Sequence, residues 1–412
     1  MRGVLTVILA GGRGTRLEPL TRDRAKPAVP FGGLYRIIDF TLSNCINSGL
    51  RRVLVLTQFK SRSLDRHIRA GWGFLSPELG ETVEVLPPQQ RIDETWYKGT
   101  ADAIYQNIYS IEREDADLIM ILAGDHIYKM DYARLLADHV RSDADVTVAC
   151  IEVPIEQAQG FGVVEIEADR RIVRFDEKPA HPHGMAGKPG RVLASMGIYV
   201  FGRQFLCDQL ARDAADPDSK HDFGRDLLPW LVPRQRVVAH FFADSCVNMV
   251  GNVPYWRDVG TVDAFWEANM DLVQVEPELN LYDDQWPILS LQRQLPPAKF
   301  VFDSEDRRGG AFDSLVCTGC IVSGATVRRS ILFTKVQVGE HSVIEDSLVL
   351  PNVSVGRGVR LRRAIVDKHC VLPDGFCAGF SVDDDRRRFH VTDRGVTLIT
   401  PEMLGQAVRS CG

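Results

Sequence analysis

The 412-residue sequence predicts an α/β domain built on a mostly parallel, doubly wound sheet, followed by a parallel β-helix. Three observations carry that expectation. Apolar, strand-like runs alternate with helical patterns over residues 1–272. A glycine-rich loop directly follows the first of those runs, and a 17-residue hydrophobic repeat occupies the chain after residue 298.

Taken in order, Val4 to Leu9 is a short β-branched run that reads as a buried strand. The loop after it carries Gly11, Gly12 and Gly14, with Arg13, Thr15, Arg16 and Lys26 close by. Glycines let backbone N–H groups turn toward an anion, and the cations favour a polyphosphate. A dinucleotide fingerprint is excluded because Leu17 stands where its last glycine belongs, and no Gly-Lys-Ser/Thr triplet marks a P-loop. The residues alone leave both a phosphate site and an ordinary solvated turn open.

Phe40 to Ser48 reads as a helix stopped by Gly49, Arg52 to Leu56 as a strand, Ser63 to Ala70 as a helix and Thr82 to Leu86 as a strand. Thr100 to Arg113 reads as one helix with Ile104, Ile108 and Ile111 on one face. Leu118 to Leu122 has the continuous apolar character of a central strand, and Asp131 is placed to cap the next helix. Val146 to Val153, Ile172 to Phe175 and Ile198 to Phe201 supply further strands. In such sheets ligands bind beyond the carboxyl ends of the strands, where the glycine loop lies. Residues 273–297, carrying Pro277, Pro287, Pro296 and Pro297, read as a linker. In residues 298–412, Val338, Val355 and Leu372 recur every 17 residues, as do Ile331, Leu348 and Ile365, and Val336, Val353 and Cys370. Three short strands per coil account for all three series.

A composition of 45% apolar and 25% charged residues with net charge −6 belongs to a globular protein and argues against nucleic-acid or membrane partners. No apolar run approaches the ~20 residues of a membrane span. With Met1-Arg2-Gly3 leading straight into a strand, the expectation is a cytoplasmic protein. Nine cysteines, an odd and scattered set, read as reduced and mostly buried thiols. Cys317 and Cys320 form the single C-x-x-C and lack the further ligands of a zinc site.

Asp125, after the central strand, and Asp258, far along the chain, are the carboxylates suited to a hard divalent cation. Either is equally a helix cap or turn residue, and only their meeting in space would decide. His126 is read as structural. Glu177-Lys178-Pro179 sets a cation beside a carboxylate at a strand end, and Trp96 to Asp102 sets two aromatics and Gly99 before a helix start.

These strings, Gly11 to Leu17, Arg24 to Pro27, Trp96 to Ala103, Ala123 to His126, Glu177 to Pro179, Ala194 to Gly197 and Tyr255 to Thr261, together resemble the glucose-1-phosphate adenylyltransferase family over nearly the whole chain. The resemblance implies a Rossmann-like nucleotidyltransferase domain and a left-handed β-helix used for oligomerisation and regulation. It implies adenylyl transfer from ATP to α-glucose 1-phosphate, giving ADP-glucose and pyrophosphate, with Mg²⁺. By the same resemblance Arg16 and Lys26 meet phosphates, and Asp125 and Asp258 hold the metal. Gly11, Gly12, Gly14, Thr15, Gln90, Gly99 and Thr100 face the nucleotide, while Tyr97, Gly162, Glu177, Lys178 and Ser195 receive glucose 1-phosphate. Gln58 and Trp96 match positions that link effector and substrate sites, and Arg24, Arg36 and Lys368 match an effector pocket for anionic metabolites in a homotetramer. Asp23 stands where relatives activated by fructose 1,6-bisphosphate carry lysine, and Pro401 and Gly405 where they carry arginine. Asp23 is therefore expected to pair with Arg24 and to weaken that activation. Two alternatives are a non-catalytic regulatory subunit and a transferase for another nucleotide or sugar.

Overall fold

A computed structural model describes residues 3–89, 96–249, 251, 253–304 and 306–407. Its first half is a nine-stranded sheet: β1 (Val4–Leu9), β2 (Arg52–Leu56), β3 (Thr82–Leu86), β4 (Leu118–Ala123), β5 (Val146–Pro154), β6 (Gly162–Ile166), β7 (Ile172–Glu177), β8 (Arg191–Gly202) and β9 (Val237–Phe241). The strand order is β7-β6-β8-β4-β1-β2-β3, with β5 joined to β8 and β9. The sheet is parallel around β1, which pairs with both β2 and β4, and antiparallel around β8. Successive residues of β1 enter opposite cores, Val7 with Ile119 and Ile121 on one face, Ile8 with Met120 and Leu122 on the other. Burial on both faces explains why these strands read as unbroken apolar runs.

Helices α1 (Ile37–Asn47) and α2 (Arg62–Gly71) lie near the expected positions, and Asp131 caps the helix Tyr132–Ser142 by accepting from Ala133 N at 2.9 Å. Two expectations need correction. Thr100 to Arg113 is two helices, α3 (Thr100–Tyr105) and α4 (Ile108–Glu112). Between them the buried Asn107 donates to Ala103 O and to Tyr97 Oη, both at 2.8 Å, and leaves the helical conformation. The strand expected at Ile198 to Phe201 is the end of the 12-residue β8, interrupted between Ser195 and Tyr199 by a register shift at Gly197, whose φ is 68°.

The segment 273–297 is strapped along α1 rather than hanging free. Trp286 Nε1 donates to Asn44 Oδ1 at 3.0 Å, Asn47 Nδ2 to Pro287 O at 3.0 Å, and Ser290 Oγ to the buried Asp39 at 2.6 Å. Beyond it, three parallel sheets stack into a β-helix. Its register carries Ile331 onto Leu348 and Ile365, and Val338 onto Val355 and Leu372, as the repeat predicts. Val336, Val353 and Cys370 are buried inside. A helix (Val382–Arg388) interrupts the last coil, so Ile365 pairs with Leu398. Among the described cysteines none is bonded and most are buried, Cys317 and Cys320 included; Cys377 is exposed. No described helix is long and apolar enough to cross a membrane.

Candidate active site

The glycine loop leaves the end of β1 and folds over Lys26. Gly14 is left-handed, with φ 63°, and its carbonyl accepts from Thr21 Oγ1 at 2.7 Å. A Cβ at Gly14 would sit 3.1 Å from both Lys26 Cβ and Thr21 Cγ2, a tight approach that adds to the left-handed backbone in favouring glycine. Lys26 opens a short 3-10 turn with Pro27 behind it, and its chain is almost fully buried. Its Nζ donates to Asp125 Oδ2 at 2.9 Å and to Asp258 Oδ1 at 2.7 Å. Arg16 Nη2 stands 3.6 Å from Asp258 Oδ2.

What joins two aspartates so distant in sequence is a small antiparallel ladder. His126–Tyr128 pairs with Trp256–Asp258, placing Asp258 opposite His126 and beside Asp125. Burial would raise the Asp125 carboxyl, yet Lys26 foremost, together with His126 and Arg16, holds the pKa at about 2. Burial lowers and the two carboxylates raise the Lys26 ammonium, with a net rise. Burial also pushes the His126 imidazole down, which keeps the ring neutral at pH 7.

Above this cluster opens a cavity of about 580 Å³. Gly11, Gly12, Gly14, Thr15, Arg16, Lys26 and Asp125 form one side, with Gln58, Tyr97, Gly99 and Thr100 beside them. Gly99 packs against the 220s segment so closely that a Cβ would meet His221 O at 2.3 Å. On the far side are Gly162, Glu177, Lys178 and Ser195. Glu177 lies opposite Gly162 in the β6–β7 ladder, and Lys178 Nζ is 2.9 Å from Glu177 Oε1. Ser195 and Tyr199, four residues apart on one face of β8, both line the cavity. Asn107 fixes the hydroxyl of Tyr97.

Asp258 does not line the cavity but reaches its floor through Lys26. Trp96 also lies off the wall, half exposed and stacked on Phe59 at 5.6 Å, while Gln58 Nε2 donates to Tyr97 O at 3.4 Å. Gln90 falls outside the described residues. Arg24, Arg36 and Lys368 share a second cavity, of about 370 Å³, between the sheet domain and the β-helix. The expected Asp23–Arg24 pair is not formed. Arg24 is buried and donates to both oxygens of Asp367 at 2.5 Å, whereas Asp23 is exposed on a neighbouring cavity with Pro401. A buried guanidinium is satisfied by the carboxylate that the β-helix presents to it, and an adjacent surface aspartate gains more from water.

Sequence reading passed over Asp222. It accepts from Thr100 Oγ1 at 2.9 Å, caps the turn at Gly224 and Arg225, and lines the cavity. Its signal was an Asp-Phe-Gly string before a helix, which resembles any cap.

The donor set fits a divalent cation. Ligand atoms of Asp125, His126 and Asp258 lie within 4.8 Å of one another, with His126 Nε2 3.5 Å from Asp125 Oδ1. Two carboxylates suit a hard ion that keeps much of its water.

Residues 5–275 match the family model described as Nucleotidyl transferase, and residues 296–399 match one described as GlmU-like, C-terminal hexapeptide. The latter agrees with a left-handed β-helix. Over 99% of its length the chain is 62% identical to a glucose-1-phosphate adenylyltransferase of Nitrosospira multiformis, covering 96% of that protein. Identity is 59% to the protein of the same name in Nitrosomonas europaea, over 99% of this chain and 94% of the relative. It is 57% to that of Dechloromonas aromatica, over 98% and 92%. With a loop suited to phosphates, a carboxylate pair tied by lysine and this likeness over its whole length, the chain belongs to the glucose-1-phosphate adenylyltransferase family of nucleotidyltransferases.

Proposed function

We propose that the protein transfers the adenylyl group of ATP to α-glucose 1-phosphate, releasing pyrophosphate and forming ADP-glucose for glycogen synthesis. The observation that carries this reading is Lys26 bridging Asp125 and Asp258 at the floor of the cavity, with Arg16 alongside. A phosphate oxygen of the sugar attacks the α-phosphorus, an oxygen–phosphorus bond forms, and the bond to the β-phosphate oxygen breaks. The nucleophile is already an anion, so no general base is needed; the barrier lies in repulsion between polyanions. Arg16 and Lys26 offset charge on the triphosphate, and the backbone of Gly11, Gly12 and Gly14 with Thr15 lets the phosphates approach. Gly99, Thr100 and Gln90 complete the nucleotide side. Lys178 takes the sugar phosphate, Glu177 and Ser195 take hydroxyls, and Tyr97 and Gly162 shape the sugar's place. Asp125 and Asp258 would hold Mg²⁺, which supplies further neutralisation of phosphate charge when bound.

The cavity with Arg24, Arg36 and Lys368 is read as a site for anionic effectors, with Gln58 and Trp96 linking it to the substrates. The working form is read as a cytoplasmic homotetramer, and the chain is divided as 1–272, 273–297 and 298–412. The test is direct: the purified chain alone, with ATP, glucose 1-phosphate and Mg²⁺, should form ADP-glucose and pyrophosphate, and a nucleotide panel should rank ATP first. Failure with ATP but turnover with UTP or GTP overturns the substrate assignment.

A further inference from the structure

One short helix, Val262–Met270, joins the segments that carry Asp258 and Lys26. It begins just after Asp258, with Thr261 as its cap, accepting from Ala264 N at 3.2 Å. At its far end the fully buried Asn269 accepts from Gly32 N at 2.9 Å and donates to Phe265 O at 2.8 Å. Gly32 closes the hairpin that follows the Lys26 turn. The helix thus spans from the segment of Asp258 to that of Lys26, the two ends of one 2.7 Å ion pair.

Along its length the same helix is held by the β-helix. Trp266 Nε1 donates to Asp346 O at 2.9 Å, with the Arg363 guanidinium 4.4 Å from its ring centre. Thr392 Oγ1 donates to Asp263 Oδ1 at 2.6 Å. Beneath these contacts one apolar core joins Leu17 and Leu20 after the glycine loop, Val259 beside Asp258, Phe265 of the helix, and Leu348 and Ile365 of the coils. Apolar packing alone permits sliding. Hydrogen bonds to a backbone carbonyl and to a threonine fixed within a turn define one register.

We infer that Val262–Met270 is a positioning element through which the β-helix sets Asp258 against Lys26 and Asp125. Trp266 and Asp263 are its grips, and neither lines the substrate cavity. The inference rests on the role given to Asp258 above. A carboxylate shifted by a fraction of an ångström still folds but loses its alignment with its partners, which shows in metal affinity and turnover before stability.

The experiment uses the full chain with Trp266→Phe and Thr392→Val, singly and together. Three quantities are read: Mn²⁺ affinity by electron paramagnetic resonance without substrates, kcat and KM for both substrates, and the thermal midpoint. The double variant should bind Mn²⁺ roughly 3- to 10-fold more weakly, at or below the low end for outer-shell partners of a metal site. The kcat should fall in proportion, with KM for glucose 1-phosphate unchanged. A lowered thermal midpoint with wild-type Mn²⁺ affinity and kcat overturns the inference, since packing alone would do that. Asp258→Asn, measured alongside, separates the two claims. Wild-type turnover there overturns the assignment of Asp258, while an inactive Asp258→Asn protein beside a fully normal double variant overturns the positioning role alone.

Discussion

Replacing Lys26 by methionine removes the cation that two carboxylates share while keeping most of the side-chain volume. A hydrogen bond to a charged group contributes about 1.5–3 kcal/mol, and Lys26 makes two. Its side chain is 7% exposed, but that of Asp125 is 35% exposed, so water recovers a good part of the loss. The two carboxylates, left within 4.8 Å of each other, repel by about 3 kcal/mol at an effective dielectric of 20 unless one protonates. Allowing for screening, the variant should lose about 2–4 kcal/mol at pH 7. The sign with pH follows from Asp125, whose pKa of about 2 lies below its ordinary 3.8. A depressed carboxylate contributes stability that is complete above the ordinary value and is lost as pH falls through the depressed one. Without Lys26, the Asp258 carboxylate and the partial burial of the site raise the Asp125 pKa, so most of that contribution is lost. Urea unfolding of both proteins from pH 7 to 3 should show a difference that is largest at neutrality and shrinks below pH 4. A destabilisation independent of pH, or none, would refute the argument, as would turnover within tenfold of wild type.

Other expectations are shorter to state. Asp125→Asn keeps the shape and a hydrogen-bond acceptor for Lys26, so circular dichroism should be unchanged while turnover falls by orders of magnitude; near-normal turnover would remove Asp125 from the reaction. Lys178→Gln should raise KM for glucose 1-phosphate about ten- to hundredfold, and a change in KM for ATP instead would put Lys178 on the wrong substrate. Activation by fructose 1,6-bisphosphate should be weak or absent, because Asp23 adds negative charge beside the cavities and Asp367 already occupies Arg24. A dose–response series that also tests fructose 6-phosphate, phosphoenolpyruvate, AMP and the Asp23→Lys variant checks this, and strong activation of the wild type at micromolar concentration defeats it.

Much of the fold was legible because its signals are local. The strands around β1 are buried on both faces and so are written as unbroken apolar runs, and the β-helix repeats its inward residues at a fixed interval. The strand Arg52–Leu56 follows from such a run, while Thr82–Leu86, at the sheet edge, shows instead as Val83 and Val85 alternating with Thr82 and Glu84. What misled was polar and tertiary. Asn107 reads as one more helical residue until its partner Tyr97 Oη is known, and β8 reads as a short strand because Gly197 interrupts it. The prolines of residues 273–297 exclude helix and sheet, but they do not tell a free linker from a strap held by Asp39 and Asn44.

The site divides along the same line. Apart from Asp222, its chemical groups were visible as residue types in loops and at the ends of strands, yet no spacing rule could join Asp125 to Asp258 or Arg24 to Asp367. The first pair depends on a ladder of three-residue strands, too short to be stable or to fix their own register. Their alignment must come from what packs against them, and Ile127 of that ladder, with Tyr255 and Val259 flanking it, lies in the same core as Leu348 and Ile365 of the β-helix. The glycine loop supplies its geometry locally, through Gly14 and the hydroxyl of Thr21. The carboxylates draw theirs from coils that lie later in the chain. A site built this way has its chemistry written in one half of the sequence and part of its precision written in the other.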